Sequence, residues 1–134
     1  MNENLRILIV DDEPNSTNLM KKVLEKKGYS ADTENISSKA KELIESGEYD
    51  LVISDLQMPE VSGLDLLKVK PDNCHFIMVT GYGSVDSAVE SMKQGAFDYI
   101  MKPFNIEEFA IKVKKAADNL NISKQLIELR AQVE

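Results

Sequence analysis

The sequence predicts an α/β domain built on a five-stranded, doubly wound parallel sheet with helices on both faces. Three observations carry this expectation. Short aliphatic runs alternate five times with stretches whose apolar residues recur at helical spacing. The runs are apolar almost throughout, rather than alternating with polar residues, as strands covered on both faces require. Glycine or proline marks most of the boundaries, where a helix must stop or the chain must turn.

Taken in order, "LRILIV" (residues 5–10) is the first buried strand. Pro14 suits the first turn of the helix that follows, with Leu19, Met20, Val23 and Leu24 at helical spacing and Gly28 as its stop. Residues 29–34 form a second, weaker strand. Ser37 or Ser38 is placed to cap a helix that turns Ala40, Leu43 and Ile44 inward and ends at Gly47. "YDLVISD" is the third strand, "MPEVSG" a loop, and Leu64, Leu66 and Leu67 a short helix cut off by Pro71. "HFIMVTG" is the fourth strand. Ser84 then caps a helix expected to bury Val85, Ala88, Val89 and Met92, with Gly95 as its stop. "FDYIM" is the fifth strand, and Asn105 with Glu108 reads as a capping box opening the last helix.

Length and composition narrow the function. A chain of 134 residues is expected to be one domain. With 43% apolar and 29% charged residues it has a soluble, globular balance. No apolar run approaches the length of about 18 residues that a membrane span needs. The N-terminus does not read as a signal peptide and Cys74 is the single cysteine, so a reducing cytoplasm is expected. A net charge of −7 argues against direct nucleic-acid binding and for cations or basic partners. A single histidine, His75, leaves no multi-histidine metal site.

The chemistry lies at the strand ends. The first strand stops at Asp11, Asp12 and Glu13, the third at Asp55, the fourth at Thr80 and the fifth at Lys102. In a parallel sheet these positions share the carboxyl edge, where ligands of doubly wound folds sit. Acids after a strand also serve as helix-start charges, and Glu13 fits that role. Together, though, the carboxylates form a hard oxygen set suited to Mg²⁺. A lysine and a hydroxyl beside them suit a phosphoryl group. Asp55 is alone on its strand end, and a carboxylate can accept a phosphoryl group as an acyl phosphate.

The motifs "VDDEP", "DLQMPEVSG", "VTG" and "KPF", in this order and spacing, make residues 5–120 resemble the receiver domain of two-component response regulators. The stretch "TGYGSVDSAVESMKQGAFDYIMKPF" is most similar to receivers of the NtrC-like type, found in sigma-54 activators. The resemblance implies a flavodoxin-like sheet of order 2-1-3-4-5, a phosphoacceptor at Asp55, and Mg²⁺ on Asp11, Asp12, Asp55 and the backbone carbonyl of Gln57. It further implies phosphoryl contacts from Thr80 and Lys102, a cis Lys102–Pro103 bond, and a switch pairing Thr80 with the aromatic Tyr99. The implied partner is a sensor histidine kinase, and the implied output is transcription control through a domain that is not in this chain. The helix after Gly63 is short, and "KVKPDNC" replaces a longer connection. Gln57 and Tyr82 are expected to flank the path of the hydrolytic water, with Tyr82 slowing loss of the phosphoryl group.

An aspartyl phosphohydrolase is the competing enzyme reading. It calls for a second aspartate two residues after the nucleophile, where this chain has Gln57. A purely structural pseudo-receiver would lack some of the acids, Thr80 or Lys102, and all are here. The chain is therefore expected to be a switch rather than an enzyme. The last helix should dock through Ile106, Phe109, Val113, Ala116 and Leu120. Residues 121–134 form a helical extension or linker. Its second stripe, Ile122, Leu126, Leu129 and Val133, has heptad spacing and is turned roughly 200° from the first, which points to a homodimer.

Overall fold

The computed structural model describes residues 5–81 and 85–133, the residues from 122 onward as helix backbone alone. Its elements alternate along the chain. The first half holds β1 (Ile7–Val10), α1 (Pro14–Lys26), β2 (Ala31–Glu34), α2 (Ser37–Glu45) and β3 (Leu51–Asp55). The second holds α3 (Gly63–Lys68), β4 (His75–Thr80), α4 (Val85–Lys93), β5 (Asp98–Met101) and α5 (Ile106–Val133). The strands form one parallel sheet in the order β2-β1-β3-β4-β5.

Side chains along each strand alternate between two cores. Ile7, Ile9, Ile53, Ile77, Val79 and Ile100 face α1 and α5. Leu8, Val10, Val52, Phe76 and Met78 face α2 and α3. Both faces are buried, which is why the strands read as unbroken apolar runs. Phe109 and Val113 of α5 are fully buried against the first core, each contributing about 1.5–3 kcal/mol of transfer free energy.

Several sequence expectations need correction. Leu19 is 46% exposed, and the inward stripe of α1 is Thr17, Met20, Val23 and Leu24. In α4 the expected apolar stripe is misphased: Val85, Val89 and Met92 are 61%, 47% and 42% exposed. The helix turns Ala88 and Ser91 inward, roughly a quarter turn away on its wheel. Small residues on that side let α4 lie close along β4 and β5, and the buried Ser91 hydroxyl is satisfied by the Ser87 carbonyl at 2.9 Å. Ile106, at the start of α5, is 50% exposed.

The caps also differ. Ile36 occupies the N-cap of α2, and Ser37 turns its hydroxyl elsewhere. Asn105 caps α5 by accepting from the amides of Glu107 and Glu108 at 2.7 and 3.2 Å. The Glu108 carboxylate lies 3.5 Å from Lys112. A complete capping box opens α3 instead, between Ser62 and Asp65. Ser84, the expected cap of α4, lies outside the described residues.

Candidate functional site

Strand register assembles the site. Val10 pairs with Ser54, so the next residues, Asp11 and Asp55, leave the carboxyl edge side by side. Asp55 pairs with Val79, which sets Thr80 one residue further along the next strand. Thr80 pairs with Met101, and Lys102 follows. Four adjacent strand ends thus deliver the acids, the hydroxyl and the ammonium to one place, as the sequence predicts.

One oxygen from each of Asp11, Asp12 and Asp55 lies within 4.8 Å of the other two. Asp11 is fully buried, Asp55 is 9% exposed and Asp12 is open to solvent. Both oxygens of Asp11 are engaged: Oδ1 accepts from the Glu13 amide at 3.0 Å, and Oδ2 accepts from Lys102 Nζ at 3.0 Å. Lys102 Nζ also stands 3.4 Å from Asp55 Oδ1, so one ammonium bridges two of the three carboxylates. Glu13 is outside the cluster: it takes the N-cap position of α1, its carbonyl accepting from Ser16 at 3.0 Å.

The electrostatics follow from this crowding. Burial, and then the negative charge of Asp11, push the Asp55 carboxyl above the ordinary carboxylate range, with Lys102 pulling the other way. For Lys102, burial works against the charge, but the hydrogen bond to Asp11 and the charge of Asp55 outweigh it and hold the ammonium above the ordinary lysine range. Three carboxylates against one ammonium leave two negative charges without a cation in the cluster. The donors are all hard oxygens, and Asp12 keeps a solvent-facing approach. That combination fits a small divalent cation carrying several waters.

Thr80 adds a second group whose chemistry suits a phosphoryl oxygen. Its Oγ1 is buried and has no hydrogen-bond partner among the described residues, a state that costs free energy unless something polar arrives. Gln57 is exposed on the loop directly beyond β3, two residues after Asp55. Tyr99, on β5, is half-buried against the core that holds Met78, its partner in the ladder. The Lys102–Pro103 bond is cis. Tyr82 lies outside the described residues. Cys74 and His75 are at the opposite edge of the sheet. His75 Nε2 is 2.8 Å from Asn119 Oδ1, and burial pushes the Cys74 thiol up to about 11.

Two residues close to this machinery escape a reading of the sequence alone. A Cβ on Gly63 would come 2.5 Å from the Asp55 carbonyl oxygen and 2.9 Å from Leu56 Cα. Only glycine lets α3 start that close to the end of β3, where the Gly63 amide donates to the Leu56 carbonyl at 2.8 Å. Lys112 of α5 donates to the Tyr99 carbonyl and pairs with Asp98 at 3.4 Å. The Ser62/Asp65 spacing around Gly63 was the available signal for the first; nothing in the spacing marks Lys112 among the lysines of α5.

The family model described as "Response regulator receiver domain" matches residues 7–114. The chain is 34% identical over 129 residues to the nitrogen assimilation regulatory protein NtrX of Azorhizobium caulinodans, covering 92% of this chain and 28% of that protein. It therefore spans little more than a quarter of the length of that relative. The beryllofluoride-activated NtrC4 receiver domain dimer superposes with a TM-score of 0.78 at 33% identity, over 86% of this chain and 98% of that one. NtrX from Brucella abortus superposes with a TM-score of 0.85 at 26% identity, over 96% of this chain and 30% of that one.

Proposed function

The chain belongs to the response regulator receiver domain family, and from that membership we propose that Asp55 accepts a phosphoryl group from a phosphohistidine of a sensor kinase in a Mg²⁺-dependent reaction. The observation that carries the proposal is the convergence of Asp11, Asp12 and Asp55 within 4.8 Å, with Lys102 set between Asp11 and Asp55.

A carboxylate oxygen of Asp55 attacks phosphorus. The P–N bond to the histidine breaks, its electron pair stays on the imidazole, and an acyl phosphate forms. Asp11, Asp12, Asp55 and the Gln57 carbonyl would hold Mg²⁺, which when bound offsets the acids' charge and the charge on the phosphoryl oxygens. Lys102 binds one phosphoryl oxygen as a point charge. Thr80 donates its otherwise unpartnered hydroxyl to another. Drawing Thr80 toward the phosphoryl group vacates space on the Tyr99 side, a two-state element biased by local charge.

Outside the site, the chain acts as a switch rather than an enzyme with a substrate of its own. The exposed Val85, Val89 and Met92 of α4 support an output surface on that helix. The net charge of −7 supports an output that does not rest on DNA contact by this chain. Among the described residues no helix is long and apolar enough to cross a membrane, and we place the protein in the cytoplasm. The segment 121–134, helical as far as Val133, is assigned to a homodimer contact and to the link with a transcriptional domain. Mass spectrometry after incubation with acetyl phosphate and Mg²⁺ tests the central claim. One phosphoryl group should add to the wild type and none to Asp55→Asn; uptake that persists in EDTA overturns the assignment.

A further inference from the structure

The turn between β2 and the start of α2 supplies none of the carboxylates, yet it grips the loops that follow β1 and β3. Asn35 Nδ2 donates to the backbone carbonyl of Asp11 at 2.8 Å and to Thr17 Oγ1 at 3.0 Å. Thr17 is 1% exposed and passes the chain on, donating to the Pro14 carbonyl at 3.0 Å. One side-chain amide therefore fastens Asp11 to the first turn of α1. Two residues later, the Ser37 hydroxyl donates to the Pro59 carbonyl and accepts from the Val61 amide at 3.2 Å. Ser37 is 5% exposed.

These contacts act where the sheet no longer does. The β1–β3 ladder runs from Ile7 with Leu51 to Val10 with Ser54. Beyond it, Asp11–Asp12 and Gln57–Glu60 are loop. In the strand order β2 lies on one side of β1 and β3 on the other, so the turn reaches across the end of β1 to hold the loop after β3. The Ser37 bonds also fall on either side of Glu60, a non-glycine residue at φ 71°. A side chain in that region costs on the order of 1 kcal/mol and persists only where its surroundings impose it.

We infer that Asn35 and Ser37 are positioning residues, a polar brace that sets the separation of the two metal-holding loops and so the affinity of the site for a divalent cation. The inference rests on the Mg²⁺ reading proposed above. Mg²⁺ demands near-ideal octahedral geometry at about 2.0–2.1 Å, so its affinity falls when the loops bearing its ligands drift apart by a fraction of an ångström. Outer residues that orient ligands typically change affinity by about tenfold or more when lost.

The test uses the full chain, with Mg²⁺ titrations followed by amide NMR shifts and acetyl phosphate uptake measured across Mg²⁺ concentrations. Asn35→Leu keeps about the same size but loses the donor to the Asp11 carbonyl; Ser37→Ala loses the side-chain bonds to Pro59 and Val61, leaving only the Val61 amide's 2.8 Å bond to the Pro59 carbonyl across Glu60. Each should raise the Mg²⁺ dissociation constant about tenfold, while uptake at saturating Mg²⁺ returns to near the wild-type rate. Ser37→Thr, which keeps the hydroxyl, should retain wild-type affinity. Should Ser37→Ala fail to fold, Ser37→Thr against the isosteric Ser37→Val reads the same hydroxyl. Unchanged Mg²⁺ affinity in both brace variants, with normal binding by the wild type, overturns the brace. Absence of Mg²⁺ binding by the wild type overturns the underlying reading instead.

Discussion

The ammonium of Lys112 stands 4.8 Å from the ring centroid of Tyr99 and donates to the carbonyl of the same residue. One side chain of α5 thereby holds both the ring and the backbone of the aromatic proposed to move. A cation over a partly exposed ring contributes about 0.5–1 kcal/mol. Lys112→Met should therefore shift Tyr99 toward its switched position about two- to fivefold before any phosphorylation. Ring and amide resonances of Tyr99 in the unphosphorylated protein read this directly. Resonances identical to the wild type would mean that Lys112 does not bias the ring.

The metal-free carboxylate cluster should limit stability at neutral pH. A carboxyl whose folded pKa is raised, as for Asp55, favours folding while it is protonated. That contribution is lost as pH climbs from the ordinary carboxylate value through the raised one. In EDTA at neutral pH, Asp55→Asn should therefore be the more stable protein, by on the order of 1 kcal/mol once Lys102 offsets part of the repulsion. The gap should close as pH falls through the raised folded-state value of Asp55 to the ordinary carboxylate value of about 4. Paired thermal melts at the two pH values check both halves of the expectation. A wild type that melts above the variant at neutral pH would refute it.

Gly63→Ala should damage both fold and site. The new methyl would meet the Asp55 carbonyl, Leu56 Cα and Met78 Sδ at 2.5, 2.9 and 2.7 Å. Only the methionine can give way easily. Overpacking of this kind costs about 1–3 kcal/mol. Because the clash falls on the backbone of the phosphoacceptor, phosphorylation should slow by more than the stability loss explains. Acetyl phosphate kinetics well below the melting temperature separate the two effects.

The phase of α4 gives a paired test. Val89→Asp falls on a side chain that is 47% exposed and should change stability by no more than about 0.5 kcal/mol. Ala88→Leu falls on a side chain that is 1% exposed and should cost about 1–3 kcal/mol. If this face carries the output, NMR shifts on phosphorylation should concentrate on α4, β5 and the start of α5. A shift pattern that spared them would end the assignment.

Dimer formation through residues 121–134 is tested by sedimentation of the full chain against one ended at Leu120. The full chain should self-associate, with or without a phosphoryl analogue, and the shortened one should not. Two monomers at high concentration would reduce the segment to a linker.

The strand-end residues were readable because a parallel sheet obliges them to meet: Asp11, Asp55, Thr80 and Lys102 lie at their stations whatever the loops do. The phase of α4 was not readable. Periodicity shows that Val85, Val89 and Met92 share a stripe, but whether that stripe meets the sheet depends on how closely Ala88 and Ser91 allow the helix to approach. Asn35 and Ser37 were hidden for a different reason. In sequence Asn35 is a turn residue like any other and Ser37 reads as a helix cap, and their partners at Asp11 and Pro59 lie 24 and 22 positions away. Gly63 likewise reads as loop chemistry until the carbonyl it makes room for is seen.

Helix α5 runs unbroken for 28 residues, from Ile106 to Val133, and docks on the sheet through Phe109, Val113, Ala116 and Leu120. An unbroken helix is stiff on this scale, and the backbone beyond Leu120 continues the helix axis for about 20 Å at 1.5 Å per residue. A reorientation of the docked part by about 10°, small enough to be absorbed by side-chain repacking, would carry the far end through roughly 3 Å on that geometry. A displacement confined to the receiver body would thus reach the far end of α5 enlarged rather than attenuated.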